Sequence, residues 1–148
     1  MNFLLEVHEV FTASQSANAS FDYIVDYSRI NEWDHTILES EKIGNDPVTL
    51  GTRFELLYSR SDQKIPISYE ITEFTAPHKA VLTGTNENFT AIDIITIEEV
   101  EKGCRIDWQA KVEFIGLQKP LDPTTVSAIK ESMTKTLHGL KTTLDGQV

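Results

Sequence analysis

The feature that most constrains the fold of this sequence is one long amphipathic segment that follows a series of alternating segments. Apolar residues recur at steps of three and four from Val126 to Leu144, which predicts a helix with one apolar face. Asp122 is suited to cap this helix and Pro123 to its first turn. Over residues 37–114 the period is two, which predicts strands. This order predicts a sheet with one long helix against it.

Turn sequences separate the predicted strands at the short spacing that is typical of an antiparallel meander. The middle of the chain contains six alternating segments, at residues 37–43, 51–60, 65–71, 79–85, 89–100 and 105–114. Residues 3–11 form a seventh strand before them. Ser14 or Ser16 caps a helix that runs to about Tyr27, and a second short helix or turn is predicted at residues 30–33. The predicted order is strand, two short helices, six strands and long helix.

Charge and composition limit the classes of partner. The 148-residue chain has 13 Lys and Arg against 23 Asp and Glu, a net charge of −10 that repels nucleic acid and anionic membrane surfaces. No segment has the ~18 consecutive apolar residues of a membrane span, and residues 1–6 lack the basic start of a signal peptide. We expect one cytoplasmic domain, residues 1–148, without nucleic-acid binding or integral membrane association. The oligomeric state stays open.

The sequence contains no diagnostic set of catalytic or cofactor-binding residues. Cys104 is the only cysteine, which excludes an internal disulfide and a cysteine-based metal cage. His8, His35, His78 and His138 lack metal-ligand spacing. Neither a phosphate-binding loop nor a dinucleotide fingerprint is present. We expect no metal and no cofactor, and the sequence leaves open whether the protein is an enzyme.

Several segments, in this order, resemble the START-like SRPBCC superfamily of polyketide cyclase/dehydrase and lipid-transport type. These are residues 21–24 with Asp26 and Trp33, then residues 50–54, 69–73, 103–108 and 114–116, and the ending at 140–141. The resemblance covers nearly the whole chain. It implies an α+β helix-grip fold, in which a curved antiparallel seven-stranded sheet wraps around a long C-terminal helix and two short helices follow the first strand. It is specific for fold and not for function, because superfamily members bind or transform many ligands.

The resemblance further implies a cavity between sheet and C-terminal helix that binds or transports a hydrophobic small molecule, such as a lipid or polyketide. With strand alternation and helix periodicity, it predicts the ligand-binding residues Phe54, Leu56, Tyr58, Ile67, Tyr69, Asp93, Ile95, Trp108, Ala110, Val112, Met133 and Leu137. Ile97 and Phe114 share the predicted inner face. Trp33 is expected to close the hydrophobic base near the first helices.

Asp93 is the one candidate for catalysis. It is in phase with Ala91, Ile95 and Ile97, so it is predicted to face the cavity. Burial among apolar residues is costly for a carboxylate and raises its pKa. Such a group orients a ligand hydroxyl or acts as a general base. The alternative is a carboxylate near a strand end that is solvated or bonded to a backbone amide.

Two further questions stay open. A stripe of small residues runs beside the apolar face of the last helix, at Thr125, Ser132, Thr136, Gly139 and Thr143. It predicts either a border of the cavity or a packing seam. The possible functions are a binding or carrier protein, a polyketide cyclase/dehydratase-like enzyme acting in the same cavity, and an interaction module of the chaperone-activator type. A collapsed cavity would favour the last.

Overall fold

A computed structural model describes residues 1–148 and contains seven strands, two α-helices and one 3-10 helix. In chain order the elements are β1 (Phe3–Ala13), α1 (Ala17–Val25), the 3-10 helix (Tyr27–Glu32), β2 (Ile37–Lys42), β3 (Arg53–Arg60), β4 (Gln63–Thr75), β5 (Lys79–Thr85), β6 (Phe89–Val100), β7 (Gly103–Phe114) and α2 (Pro123–Gly146). All neighbouring strands are antiparallel, in the order β1-β7-β6-β5-β4-β3-β2. The predicted helix-grip fold is confirmed.

The strand pairing of the sheet shifts its register at two places. In β4 the pairing to β5 slips between Ile71 and Glu73, and in β2 the pairing to β3 slips between Ile37 and Glu39. An extra residue in one strand of an antiparallel pair bends that strand and increases its twist. These two irregularities lie in the half of the sheet formed by β2 to β5, and they help it to curve around α2.

The connection between β1 and β2 differs slightly from the prediction. α1 ends at Val25, about two residues before the predicted end, because the Asp26 side chain accepts a hydrogen bond from the Ser28 amide at 3.1 Å. This bond caps the 3-10 helix, which begins at Tyr27 rather than at Ile30. The early change of helix type turns Tyr27 towards the sheet, where it is completely buried.

The long helix packs on the sheet through its second half. Asp122 caps it as predicted, with Oδ1 accepting a hydrogen bond from the Thr125 amide at 2.9 Å. The buried side chains are Leu137, Leu140 and Leu144, all in the C-terminal half. The N-terminal half therefore stands away from the core. None of the helices combines the length and the hydrophobicity that crossing a membrane requires.

Gly139 lets α2 approach the segment between the 3-10 helix and β2. A Cβ atom added at this position would lie 2.8 Å from the Trp33 carbonyl oxygen. A glycine in a helix interior normally destabilises the helix by about 1 kcal/mol relative to alanine. Here it permits a close contact between helix and backbone that alanine would obstruct.

Candidate functional site

A cavity of about 440 Å³ lies between the inner face of the sheet and α2. Its size falls in the range of small-molecule sites, roughly 300–1,000 Å³. Hydrophobic residues are 20 of the 28 that line it, so it suits an apolar molecule. Leu56 and Trp108 on its wall are buried, whereas Ser61 and Ala128 are exposed. The cavity therefore opens between the β3–β4 turn and the N-terminal half of α2.

Most of the sequence-predicted binding residues meet in this cavity. Ten of the twelve line it, namely Leu56, Tyr58, Ile67, Tyr69, Asp93, Trp108, Ala110, Val112, Met133 and Leu137. Phe54 and Ile95 do not line it, because both are completely enclosed by the hydrophobic core. The ring of Phe54 packs against that of Tyr27, with centroids 6.0 Å apart. Strand alternation assigns a side chain to the inner face, but it does not show whether other side chains cover it.

Asp93 and Tyr27 form a hydrogen-bonded pair deep in the cavity. The Tyr27 hydroxyl donates to Asp93 Oδ2 at 2.6 Å. Asp93 is surrounded by protein but keeps some accessible surface, because it faces the cavity in the middle of β6. Burial raises the pKa of Asp93 to about 6, although the bond from Tyr27 and a weaker interaction with the Trp108 indole lower it. The site therefore holds a carboxyl group that changes charge near neutral pH.

Two further tyrosine hydroxyls lie on the cavity wall without a hydrogen-bond partner in the protein. They belong to Tyr58 and Tyr69, and neither oxygen is fully enclosed. Burial raises the pKa of Tyr69 well above its usual range, and the charge of Asp93 raises it further. Burial also raises the pKa of Tyr58, against the opposing effect of Arg60. Both hydroxyls are thus protonated near neutral pH and available as donors.

Gly84 provides the space that the Tyr69 ring occupies. The two residues are directly paired between β4 and β5. A Cβ atom added at Gly84 would lie 2.7 Å from two carbon atoms of the Tyr69 ring. The ring also packs edge to face against Tyr27, with centroids 5.1 Å apart. Gly84 and Tyr27 together fix where the Tyr69 hydroxyl enters the cavity.

Sequence reasoning missed Tyr27 and Asp34 as site residues and assigned Trp33 a structural role. Asp34 lines the cavity, where its Oδ1 atom accepts hydrogen bonds from the Thr36 amide at 2.9 Å and the Thr36 hydroxyl at 2.6 Å. Trp33 also lines it and packs edge to face on Trp108, with centroids 5.7 Å apart. The signal available in the sequence was the cluster of aromatic and acidic residues just before β2.

The structure shows which flank of α2 borders the cavity. The helix residues that line it are Ala128, Ile129, Ser132, Met133, Thr136 and Leu137. Ser132 and Thr136 belong to the predicted small-residue stripe, so that part of the stripe borders the cavity. Gly139, further along, serves the packing contact with Trp33 instead.

Charged side chains are few in the cavity. Asp34 and Asp93 are its carboxylates, and Arg60, at the end of β3 beside the opening, is its only cation. Arg60 forms no ion pair. No group of three or more His, Cys, Asp or Glu side chains is placed to hold a metal ion.

The fold agrees with comparisons to known proteins. The chain matches the family described as polyketide cyclase / dehydrase and lipid transport over residues 5–145, and it belongs to that family. This match and the structural similarities confirm the predicted SRPBCC superfamily. No curated protein matches the sequence. The family match and the structural similarities support a ligand-binding fold, but they do not specify a ligand.

Solved structures share the fold at low sequence identity. The crystal structure of Ara h 8.0201 has a TM-score of 0.71 and 13% identity, over 96% of this chain and 98% of that one. An uncharacterized protein from Rhizobium leguminosarum has a TM-score of 0.75 and 9% identity, over 98% and 97%. The Mll3558 protein from Rhizobium loti has a TM-score of 0.73 and 11% identity, over 96% and 98%. At these identities the similarity is one of fold alone.

Proposed function

We propose that this protein binds a hydrophobic small molecule, of lipid or polyketide type, in the cavity between the sheet and α2. The observation that carries this proposal is the open volume of about 440 Å³ with predominantly apolar walls. Burying an apolar ligand in such a site removes hydrocarbon surface from water, which is worth about 25 cal/mol per Å². A collapsed cavity would favour the interaction-module alternative, and this cavity is open.

The ligand contacts in this proposal are the ten predicted residues that line the cavity, together with Trp33. Trp33 and Trp108 are the two tryptophans of the chain, and both are on the cavity wall. Tryptophan fluorescence therefore reports directly on this site. A ligand that displaces water from around the two rings will change the emission.

A fluorescence titration with decan-1-ol, borneol and cholesterol tests the proposal, because none of these molecules absorbs where tryptophan emits. We expect at least one of them to produce a saturable change that fits one site. No change with any of the three would contradict the proposal. Denaturing extraction and mass spectrometry of gently purified protein would then identify a natural ligand that co-purifies.

A second candidate function is that of a cyclase/dehydratase-like enzyme acting in the same cavity. The observation that favours it is the buried Asp93–Tyr27 pair, whose carboxyl has a pKa of about 6 and faces the open volume. As a general base, ionised Asp93 would take a proton from the carbon next to a bound ketone. The electron pair would move onto the ketone oxygen, to which the Tyr69 hydroxyl would donate a hydrogen bond.

Deuterium exchange into 2-tetralone, followed by NMR in D₂O, tests this chemistry without knowledge of the natural substrate. We expect the protein to accelerate exchange over buffer, with a rate that rises as the pH passes through about 6. Asp93→Asn should abolish the acceleration, and Asp62→Asn in the exposed β3–β4 turn should retain it. Equal exchange rates with wild type and Asp93→Asn would contradict an enzymatic role for Asp93.

A further inference from the structure

We propose that the ligand is an uncharged molecule with an apolar body and a hydroxyl group, and that this hydroxyl lies between Asp93 and Tyr69 and hydrogen-bonds to both. The inference rests on the proposed binding function and adds the chemical class of the ligand. It is carried by the unused hydrogen-bonding capacity, the distribution of charge and the packing of the tyrosine rings in the cavity.

The polar groups deep in the cavity have unused and complementary hydrogen-bonding capacity. An ionised carboxylate accepts about four hydrogen bonds, and Asp93 receives one within normal distance, from Tyr27. The Tyr69 hydroxyl has no partner in the protein. The Asp93 carboxylate, which can only accept, therefore lies near the Tyr69 hydroxyl, which has no acceptor for its proton. One ligand hydroxyl satisfies both, because it donates to Asp93 and accepts from Tyr69.

Packing brings the two groups together. The Tyr69 ring contacts the Tyr27 ring, and the Tyr27 hydroxyl is 2.6 Å from Asp93 Oδ2. Among the charged groups, Asp93 also raises the pKa of the Tyr69 hydroxyl the most. Gly84 keeps the Tyr69 ring in this position, because any larger side chain would collide with it.

The charge of the cavity disfavours ionic ligands at its deep end. A carboxylate placed beside Asp93 would be repelled by it and by Asp34, and the only cation, Arg60, is at the opening. A ligand ammonium would pair with Asp93, but it would lose its hydration within apolar walls, which is costly. Because the remaining lining is mainly hydrocarbon and aromatic, the rest of the ligand is apolar.

Three probes with the same ring system test the proposal, namely 2-naphthol, 2-methylnaphthalene, which matches it in size, and 2-naphthoate. Their dissociation constants are measured by equilibrium dialysis at pH 7.5, where Asp93 is ionised. We expect 2-naphthol to bind about tenfold more tightly than 2-methylnaphthalene, since one of its bonds is to a charged acceptor. We expect 2-naphthoate to bind most weakly of the three.

Tyr69→Phe removes a hydroxyl that makes no bond within the protein, so the variant should fold as wild type does. It should weaken 2-naphthol binding about fivefold and leave 2-methylnaphthalene binding unchanged. Tyr23→Phe is the matched control, since the Tyr23 hydroxyl donates to Glu32 and Tyr23 does not line the cavity, and it should leave both constants unchanged. Asp93→Asn should strengthen 2-naphthoate binding, because it removes the nearest repelling charge.

The possible failures are distinguishable. If 2-methylnaphthalene binds and 2-naphthol binds no better, the hydroxyl assignment is overturned while cavity binding stands. Tighter binding of 2-naphthoate than of 2-naphthol would overturn the charge argument and the inference with it. Equal losses in Tyr23→Phe and Tyr69→Phe would overturn the placement of the hydroxyl. If none of the three probes binds, the proposed function fails together with the inference.

Discussion

Asp93 and Tyr27 are 66 positions apart in the sequence, and a hydrogen bond joins them in the cavity. The position of Asp93 on the inner face could be predicted, because it alternates in phase with its apolar neighbours. The hydrogen-bond partner of Asp93 could not be predicted, since Tyr27 enters the cavity from a 3-10 helix that packs onto the sheet only in the folded chain. The pair is a tertiary feature with no local sequence signal.

The raised pKa of Asp93 makes stability depend on pH in a defined direction. Because this pKa rises from 3.8 to about 6 on folding, the folded protein binds more protons than the unfolded chain between these values. Protonated Asp93 therefore makes its full contribution to the free energy of unfolding below about pH 4. This contribution is lost as the pH rises through about 6. Asp93→Asn removes this dependence.

We therefore expect the free energy of unfolding of Asp93→Asn, minus that of wild type, to increase by about 2 kcal/mol between pH 4 and pH 7. Urea unfolding at a series of pH values measures this difference. The exposed Asp62→Asn serves as the control and should show no such trend. A difference for Asp93→Asn that is flat with pH would show that the carboxyl is not perturbed in the folded protein.

At the scale of elements, the strands and α2 were predictable because their periodicity is clear over many residues. β5 and β6 occupy the predicted ranges, 79–85 and 89–100. The end of α1 was not predictable to the residue, since Asp26 both ends that helix and caps the next.

The small-residue stripe on α2 left two alternatives open, because only the packed structure shows that its members serve two purposes. Ser132 and Thr136 border the cavity, and Gly139 contacts Trp33.

The contact at Gly139 predicts an unusual response to an alanine substitution. In a helix interior, Gly→Ala normally stabilises by about 1 kcal/mol. At position 139 the added methyl would lie 2.8 Å from the Trp33 carbonyl oxygen, so we expect Gly139→Ala to lower the melting temperature. Gly146→Ala, in the same helix with no atom within 4 Å of the added methyl, should not lower it. Calorimetry of both variants measures this, and a stabilised Gly139→Ala would contradict the close contact.

At the scale of the whole molecule, the cavity results from small residues on the inner face of neighbouring strands. Ala91 on β6 and Ala110 on β7 both line it, whereas the Tyr69 ring takes the space beside Gly84 on β5. The short side chains of the two alanines leave volume that α2 does not fill, because the helix packs tightly only through its C-terminal half. The sequence showed each residue type, but the volume depends on how sheet curvature and helix position combine. That combination is the reason why Phe54 and Ile95 lie in the core and not on the cavity wall.

Entry of a ligand into this cavity should change the indole N–H signals of Trp33 and Trp108, because both rings lie on its wall. Two-dimensional NMR of ¹⁵N-labelled protein titrated with 2-naphthol should move both signals together, with a concentration dependence that fits one site. Ser132→Phe, which places a ring in the cavity, should abolish the response. Ser127→Phe, on the exposed side of the same helix, should preserve it. If neither indole signal moves in wild type, or if Ser132→Phe responds as wild type does, the cavity is not the binding site.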